Sequence, residues 1–331
     1  MHVRRPALAL ALAGLLASLA LNAQAPPRLN PMIALHEQGL PVFGITHPPI
    51  VPPGRRGPNA PPADAPPPPM PSLTDAARET MAYPYADFAY DNYSPANAGR
   101  FRDYIEALMA AGGSARQHAF ISKVPIIHTD PAAATARIVE QLNAGHAGVM
   151  LQEVESADEV RTALAAMRFR SKGGTRPDEG VELAAAWWKL SEAEYRAKAD
   201  PWPLNKDGEL VLWAIVESRK GIANIREIAA VPGLTVIVVG AGTLGGVYST
   251  TGPDGQRVRD QEGFEAGVNA ILAACKEFNV PCSHPANNPT EIEALMKRGF
   301  TVFTMQARNQ AGFDAIAAGR RLAGRPVPSS R

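Results

Sequence analysis

The residue best suited to do chemistry is a carboxylate at the end of an apolar segment. Residues 210–216 form an apolar run that ends directly on Glu217, and a helical pattern follows from Lys220. A charge at the end of such a run is costly unless it is paired or bound, so a functional role is favoured. An α/β barrel presents its working groups in this way, at the carboxyl ends of parallel strands. Glu217 is therefore the first candidate site residue.

A glycine run farther along the chain suggests dinucleotide binding instead. After the apolar residues 235–239, Gly240, Gly242 and Gly245 have the G-x-G-x-x-G spacing of a dinucleotide-binding turn. That fold also needs an acidic residue, about 20 residues on, at the end of the next strand. Asp260 has this spacing, but it follows a polar stretch without an apolar strand. We expect a tight turn here, and an NAD(P)-dependent oxidoreductase is the less favoured alternative.

Alternating strand and helix patterns must position these residues. The apolar segments predicted as strands are 42–46, 86–90, 119–127, 148–151, 210–216, 235–239, 280–283 and 301–305. The helical patterns are 31–38, 73–81, 98–111, 131–143, 156–167, 181–197, 222–230, 262–277, 289–298 and 309–322. Eight strand and helix units in one domain predict a (β/α)₈ TIM barrel of the α/β class rather than a doubly wound sheet. Residues at the carboxyl ends of the strands then become the site candidates.

Composition is that of a globular protein with one large domain. The chain has 331 residues and is 46% hydrophobic, and we assign residues 26–331 to a single barrel domain. The formal net charge of +1 and the lack of basic runs argue against nucleic acid as a partner. Residues 48–71 hold 12 of the 31 prolines, so this segment is predicted to be an extended surface insertion after the first strand.

The N-terminus has the pattern of a secretory signal peptide. Arg4 and Arg5 precede the apolar residues 7–21, and Ala23-Gln24-Ala25 has the small-x-small pattern of a cleavage site. We assign residues 1–25 to the signal, and a cut after Ala20 is the alternative. The protein is therefore predicted to be exported, either periplasmic or secreted, with no membrane span after cleavage.

Two cysteines, Cys275 and Cys282, fall in a predicted helix and in the strand after it. A disulfide is open to them in an oxidising compartment. Adjacent elements rarely bring two Cα atoms within about 7 Å in the right orientation, so we favour two buried thiols.

Motifs over residues 144–325 resemble those of a known family. One is VMLQEVESADEVRTALAAMRF, a strand and its helix, and another is AIVESRKGIANIREIAAVPGLTVIVVGAGTL, in which a strand ends on Glu-Ser. Weaker similarity extends to NPMIALHEQGLPVFGIT near the N-terminus. These segments resemble the HpcH/HpaI aldolase and citrate lyase β family, TIM barrels of the phosphoenolpyruvate/pyruvate type that include metal-dependent pyruvate aldolases.

The resemblance implies a divalent cation, Mg²⁺ or Mn²⁺, that chelates a 2-keto acid and stabilises the enolate formed by aldol cleavage. In the family, a Glu after strand five and an Asp after strand six hold the ion through hard oxygen ligands. Glu217, followed by Ser218, matches the first ligand. At the second position the chain reads GAGTL, so Thr243 replaces the acid. The resemblance makes Gly242 and Thr243 substrate-binding candidates.

Two further family positions provide catalytic candidates. The family has an Arg after strand three that stabilises the enolate oxygen, and the corresponding residue in PIIHTD is assigned as His128. It also has a His after strand two that helps move protons. There the chain reads YDNYSP and offers Asp91 and Tyr93.

A rearranged metal site is a further hypothesis. In a barrel, His128, Glu153, Glu217 and His284 are all expected near strand ends that face one mouth. Two imidazoles with carboxylates favour Zn²⁺, Fe²⁺ or Mn²⁺ over Mg²⁺. On this hypothesis Glu217, Glu153 and His284 are metal ligands.

The sequence therefore predicts an aldolase-type carbon–carbon lyase that acts on a small 2-keto or 2-hydroxy acid. Its partners are predicted to be a 2-keto acid such as pyruvate and an aldehyde. The alternative is an exported barrel that has lost the aldolase site. The resemblance also implies a homo-oligomer that assembles through terminal helices, here the predicted helix 309–322.

Overall fold

The computed structural model describes residues 27–50, 70–92, 98–253 and 255–327, without the side chains of Asp91 and Asn92. The predicted signal segment 1–25 and residues 51–69 of the Pro-rich insertion lie outside the described residues. Within the described part of the chain, no helix combines the length and the hydropathy needed to cross a bilayer.

Eight parallel strands close into a barrel, which confirms the predicted fold. The strands in chain order are β1 (Val42–Thr46), β2 (Phe88–Asn92), β3 (Phe120–Val124), β4 (Gly148–Leu151), β5 (Val211–Val216), β6 (Val236–Val239), β7 (Ser249–Thr251), β8 (Arg257–Arg259), β9 (Cys282–Ala286) and β10 (Val302–Met305). The barrel order is β1, β2, β3, β4, β5, β6, β9 and β10, with β10 paired to β1. β7 and β8 form a separate antiparallel hairpin. Because the barrel strands are parallel, their carboxyl ends lie at one mouth.

The helices are α1 (Pro31–Glu37), α2 (Leu73–Met81), α3 (Ala98–Ala110), α4 (Pro131–Asn143), α5 (Ala157–Met167), α6 (Glu182–Trp188), α7 (Glu192–Lys198), α8 (Arg219–Ala223), α9 (Ile225–Ala229), α10 (Ala241–Val247), α11 (Gln261–Glu277), α12 (Pro289–Arg298) and α13 (Gln310–Leu322). The start of α4 shows why they begin where they do. Asp130 accepts a hydrogen bond from the Ala133 N–H, and Pro131 occupies the first turn. A side-chain acceptor followed by proline satisfies or removes N–H groups that a helix start leaves unpaired.

The single helix predicted over 181–197 is two helices, α6 and α7. Lys189 adopts the left-handed conformation with φ 55°, which ends α6. Ser191 then begins α7 with a capping box, in which its side chain and that of Glu194 bond each other's backbone N–H groups. A helical apolar pattern alone does not reveal such a break, because both helices bury the same face.

The two cysteines form a disulfide, so the favoured prediction of two thiols is wrong. Cys275 and Cys282 have Cα atoms 5.7 Å apart and their sulfurs are bonded. The chain reverses directly after α11, and Asn279 has a φ of 53° in this turn. The last turn of α11 therefore lies beside the start of β9, which the spacing of seven residues permits.

A buried ion cluster closes the amino end of the barrel. Asp87, just before β2, accepts hydrogen bonds from the backbone N–H of Phe43 (2.9 Å), from Arg320 (3.2 Å) and from Arg325 (2.8 Å). Its side chain is 7% exposed, and those of both arginines are 10% exposed. The cluster attaches the end of α13 to β1 and β2, so the last helix contributes to closure of the barrel.

Close packing between β4 and β5 leaves no space for a side chain at Gly148. A Cβ atom added there lies 2.2 Å from the backbone oxygen of Val211, which is part of the barrel ladder. We expect Gly148→Ala to lower the free energy of unfolding by roughly 1–3 kcal/mol, because the two strands must move apart. Urea unfolding followed by tryptophan fluorescence measures the change. Gly99→Ala is the matched control, since no atom lies within 4 Å of its added Cβ.

Two buried histidines make stability depend on pH. Burial lowers the pKa of His146 to about 3 and that of His36, which stacks on Trp202, to about 4. The unfolded chain binds these protons near pH 6.5, whereas the folded chain does not. Stability is therefore complete above pH 6.5 and falls as the pH decreases from 6.5 towards 4. The loss approaches about 1.4 kcal/mol per pH unit for each histidine.

Urea midpoints at pH 7.5 and pH 5 measure this effect. His36→Gln removes one of the two titrations, so its midpoint is expected to fall less than that of the wild type over the same interval. Equal slopes in the two proteins contradict the assignment to His36.

Candidate active site at the barrel mouth

A small cavity of about 190 Å³ lies at the carboxyl ends of the barrel strands. Its apolar wall includes Met150 from β4, Ile215 from β5 and Val238 from β6. Its polar side chains come from five strand ends and are Tyr90, Lys123, Glu217, Thr243, Thr304 and Gln306. The combination of an apolar wall and a few convergent polar groups is that of a small-molecule site.

Glu217 lies in this cavity, one residue beyond β5. Its Oε1 accepts a hydrogen bond from the backbone N–H of Glu153 (3.2 Å), whose φ of 49° turns the chain after β4. Gly240 lies against the other side of the carboxylate, where an added Cβ is 2.6 Å from Oε2. The carboxylate is thus held between the turns that follow β4 and β6. The prediction that Glu217 lies at the mouth is confirmed.

Lys123 also lines the cavity, and sequence reasoning missed it. The residue before it in β3 faces the outer layer, since Ser122 Oγ lies 2.7 Å from His146 Nε2. Strand residues alternate between two faces, so Lys123 points into the barrel. Its ammonium makes no hydrogen bond or ion pair with the residues that the structure describes, although the side chain is half-buried. The sequence feature that could have revealed it is the single lysine within the otherwise largely apolar strand FISKV.

His128 does not occupy the end of β3, contrary to the prediction. The strand ends at Val124 rather than at residue 127, so His128 lies in the following loop. Its Nδ1 is 3.2 Å from Glu159 Oε2, in the first turn of α5. The strand position expected near the enolate is therefore taken by Lys123, and the predicted catalytic role of His128 has no support from its placement.

His284 points away from the mouth. Its neighbour Pro285 lines the cavity, so the alternation of β9 directs His284 to the helical layer. There its ring packs against Phe300, with centroids 5.1 Å apart, and its Nδ1 lies 2.7 Å from the Pro285 oxygen. Burial lowers the pKa of His284. A side chain that binds a cation at the barrel mouth must face the cavity, and His284 does not.

The three predicted metal ligands, Glu217, Glu153 and His284, are not brought together. Among the cavity-lining residues are Glu217 but not Glu153, His128 or His284. No three His, Cys, Asp or Glu side chains gather as possible metal ligands anywhere in the four described ranges. The side chain of Asp91 and all of Tyr93 lie outside the described residues, so their predicted catalytic roles stay predictions.

The cavity's described donors do not fit a hard divalent cation. Mg²⁺ and Mn²⁺ prefer several oxygen ligands with carboxylates among them. The cavity has one carboxylate, Glu217, and it has Thr243 where a second acid is expected. Lys123, the other charged group of the described lining, has no oxygen to replace the missing acid.

The glycine run forms a short helix instead of the predicted tight turn. α10 begins at Ala241 and ends at Val247, and the β7–β8 hairpin follows. Gly242 and Thr243, the predicted substrate-binding residues, line the cavity at the start of α10. Asp260 caps α11 by accepting from the Gly263 N–H and ends no barrel strand. The arrangement that binds a dinucleotide is therefore not formed by these glycines.

A larger cavity of about 580 Å³ lies at the opposite end of the barrel, between α1, α7 and Glu209. Three of its charged groups already form ion pairs, because Arg28 pairs with both Glu37 (2.5 Å) and Glu209 (3.5 Å). In TIM barrels the strand amino ends serve stability, whereas chemistry takes place at the carboxyl ends. The smaller cavity is therefore the better candidate.

Comparison with known proteins finds aldolase-type relatives. The model of the family described as HpcH/HpaI aldolase/citrate lyase matches residues 102–308. A hydroxypyruvate/pyruvate aldolase of Paraburkholderia phytofirmans is 25% identical over 218 residues, which cover 62% of this chain and 78% of that protein. A 2-dehydro-3,6-dideoxy-6-sulfogluconate aldolase of Pseudomonas putida is 27% identical over 165 residues, 48% of this chain and 56% of that protein.

Solved structures support the same fold. An HpcH/HpaI aldolase/citrate lyase family protein from Burkholderia cenocepacia J2315 has a TM-score of 0.61 and 20% identity, over 84% of this chain and 93% of that one. Macrophomate synthase has a TM-score of 0.58 and 18% identity, over 92% of each chain. At these identities the likeness concerns the barrel alone.

Proposed function

Because the chain belongs to the HpcH/HpaI aldolase/citrate lyase family, we propose that it is an aldolase-type carbon–carbon lyase that acts on a small 2-keto acid. The observation that supports this most directly is the cavity at the carboxyl end of the barrel, which Glu217 and Lys123 both line. A 4-hydroxy-2-keto acid is the proposed substrate, with pyruvate or a substituted pyruvate and an aldehyde as products.

Size and charge favour a small anion. A volume of about 190 Å³ is below the roughly 300–1,000 Å³ of sites for drug-sized ligands, and it suits a short-chain acid. Lys123 is the only cationic side chain among the described lining residues, and it offers a positive charge to a carboxylate or to a carbonyl oxygen. Thr243, Thr304 and Gln306 add neutral hydrogen-bonding groups around it.

The reaction requires a base, which we assign to Glu217. Aldol cleavage begins when a base takes the proton of the C4 hydroxyl, after which the C3–C4 bond breaks and the aldehyde leaves. The electron pair remains on the keto-acid fragment, which later takes up a proton at C3. Glu217 is the only carboxylate among the described lining residues, and the Glu153 N–H orients it. A predicted cation, whether Mg²⁺, Mn²⁺, Zn²⁺ or Fe²⁺, has no part in these steps because the donors do not fit one.

Exchange of the pyruvate methyl protons with deuterated water tests this function. A site that forms the enolate or its equivalent exchanges these protons even when the aldehyde is unknown, and proton NMR records the loss of the methyl signal. We expect exchange by the wild type and cleavage of at least one 4-hydroxy-2-keto acid in a panel of chain lengths. A barrel that has lost the chemistry gives neither result, and the proposal then fails.

We also propose that the protein is exported. The disulfide between Cys275 and Cys282 supports this, because such bonds persist in oxidising compartments. Cell fractionation of the full chain tests it, and retention in the cytoplasm contradicts it. The homo-oligomer expected through the last helix stays a prediction, which light scattering of the purified protein measures.

A further inference from the structure

We propose that Lys123 is a nucleophile that forms an imine with the C2 carbonyl of the 2-keto acid. This inference rests on the proposed function, since it specifies how the same cavity holds its substrate. It replaces the cation expected from the family by a covalent electron sink. The lyase would then work without a metal ion.

The position of Lys123 supports this role. Its side chain enters the cavity from β3, beside Met150 in the register of β3 and β4. Ile215 and Val238 form the apolar wall on the side of β5 and β6. A lysine whose amine reaches into a partly apolar pocket is the usual source of a Schiff-base nitrogen.

The absence of a counter-ion supports the same conclusion. Two exposed lysines of this chain pair with carboxylates, Lys220 with Glu155 (3.0 Å) and Lys297 with Glu293 (2.6 Å). Lys123 has no carboxylate within 4 Å among the described residues, although Glu217 lines the same cavity. The amine of Lys123 is thus available to a ligand in the cavity. A keto acid supplies a carbonyl carbon for its amine, and the carboxylate of the substrate balances the charge of the iminium that results.

Thr243 is the second observation. A metal-dependent site needs an acid at this position, and its replacement by a neutral hydroxyl removes one ligand. An iminium ion performs the same task as the cation, because its positive nitrogen accepts the electron pair released from the C3–C4 bond. The neutral Thr243 and the inward Lys123 are therefore consistent with an iminium in this cavity.

The steps balance without an oxidant or a reductant. The Lys123 ammonium gives a proton to solvent, its amine attacks C2, the N–C bond forms, and the carbonyl oxygen is protonated and leaves as water. Glu217 takes the proton of the C4 hydroxyl, the C3–C4 bond breaks, and the electron pair moves into the iminium to give an enamine and the aldehyde. The enamine takes a proton at C3. Addition of water then breaks the N–C bond and releases the keto acid and the free amine.

Borohydride trapping tests the inference. The purified full chain is incubated with pyruvate and sodium cyanoborohydride, and intact mass and peptide mapping follow. We expect one reduced pyruvyl adduct per chain, on Lys123, and the same yield after treatment with EDTA. Lys123→Arg keeps the positive charge but cannot form the imine, so it is expected to lose the adduct and methyl exchange. Lys220→Arg is the matched control, because Lys220 lies near the mouth outside the cavity, and it keeps both. Circular dichroism confirms that both variants fold.

The outcomes separate this inference from the proposed function. If there is no adduct on Lys123 and EDTA abolishes methyl exchange, the enzyme is a metal-dependent lyase, so the imine is wrong and the function stands. An adduct on Lys123 without cleavage of any hydroxy-keto acid supports the imine and contradicts the lyase. An adduct confined to other lysines, or no adduct together with no exchange, overturns the inference.

Discussion

Replacing Glu217 with glutamine is expected to lower kcat/KM for aldol cleavage by about 10²–10⁴-fold, the usual contribution of a general base. The amide has the shape of the carboxylate, and its oxygen can still accept from the Glu153 N–H. The change thus removes the charge and the basicity but keeps the contact. We expect kcat to fall with little change in KM, since the lost interaction acts in the transition state. Steady-state cleavage of a 4-hydroxy-2-keto acid, coupled to detection of the keto acid, measures both constants.

Two neighbouring carboxylates provide the controls. Glu155 pairs with Lys220 and accepts from Ser218 outside the cavity, so Glu155→Gln is expected to retain activity near that of the wild type. Glu153→Gln tests the predicted metal set, because a ligand role requires its side chain and the observed contact uses only its backbone. If Glu153→Gln is as inactive as Glu217→Gln, the cleavage activity depends on both side chains and the assignment of Glu217 as the single base is wrong.

The barrel was predictable from the sequence because its strands are short, mostly apolar and separated by helices. β1, β4 and α4 have the bounds that the pattern indicated. Parallel strands buried on both faces read as continuous apolar runs, so their number was visible. Glu217 was visible for the same reason, since a carboxylate directly after such a run stands out.

The rest of the site was less predictable, because the same continuous runs hide which face each residue takes. The sequence pattern placed the end of β3 at residue 127, whereas the strand ends at Val124. His128 was therefore chosen as the site residue in place of Lys123. His284 was misplaced because a strand-end position does not say whether the side chain faces the cavity or the helices. Successive residues of β9 face opposite sides, and the structure shows that Pro285 lines the cavity. His284 must therefore face the helices. The hairpin β7–β8 is polar and exposed, so it gave no apolar signal.

The disulfide shows a similar limit. The spacing of Cys275 and Cys282 was compatible with both pairing and separation, and the deciding feature is the reversal around Asn279, which brings helix end and strand start together. Such a turn follows from how α11 packs on the barrel. Local sequence patterns do not encode that contact.

Asp87→Ala is expected to have the largest effect on stability, a loss of about 3–5 kcal/mol in the free energy of unfolding, because it breaks a buried ion cluster. The substitution leaves two largely buried guanidinium groups, Arg320 and Arg325, without their shared carboxylate. It also leaves the N–H of Phe43, at the start of β1, without its side-chain acceptor. The barrel closes between β1 and β10, and α13 packs over this junction. The substitution therefore weakens the packing of α13 at the point where the barrel closes.

Urea denaturation at pH 7.5, followed by circular dichroism, measures the change in the free energy of unfolding. Asp158→Ala is the matched control, because Asp158 forms an exposed pair with Arg161 and such pairs contribute little. Asp87→Asn separates charge from hydrogen bonding: its amide oxygen still accepts from Phe43, so it is expected to be less destabilising than alanine. If Asp87→Ala and Asp158→Ala lose the same stability, the cluster does not hold α13 to the barrel and closure must rest on apolar packing alone.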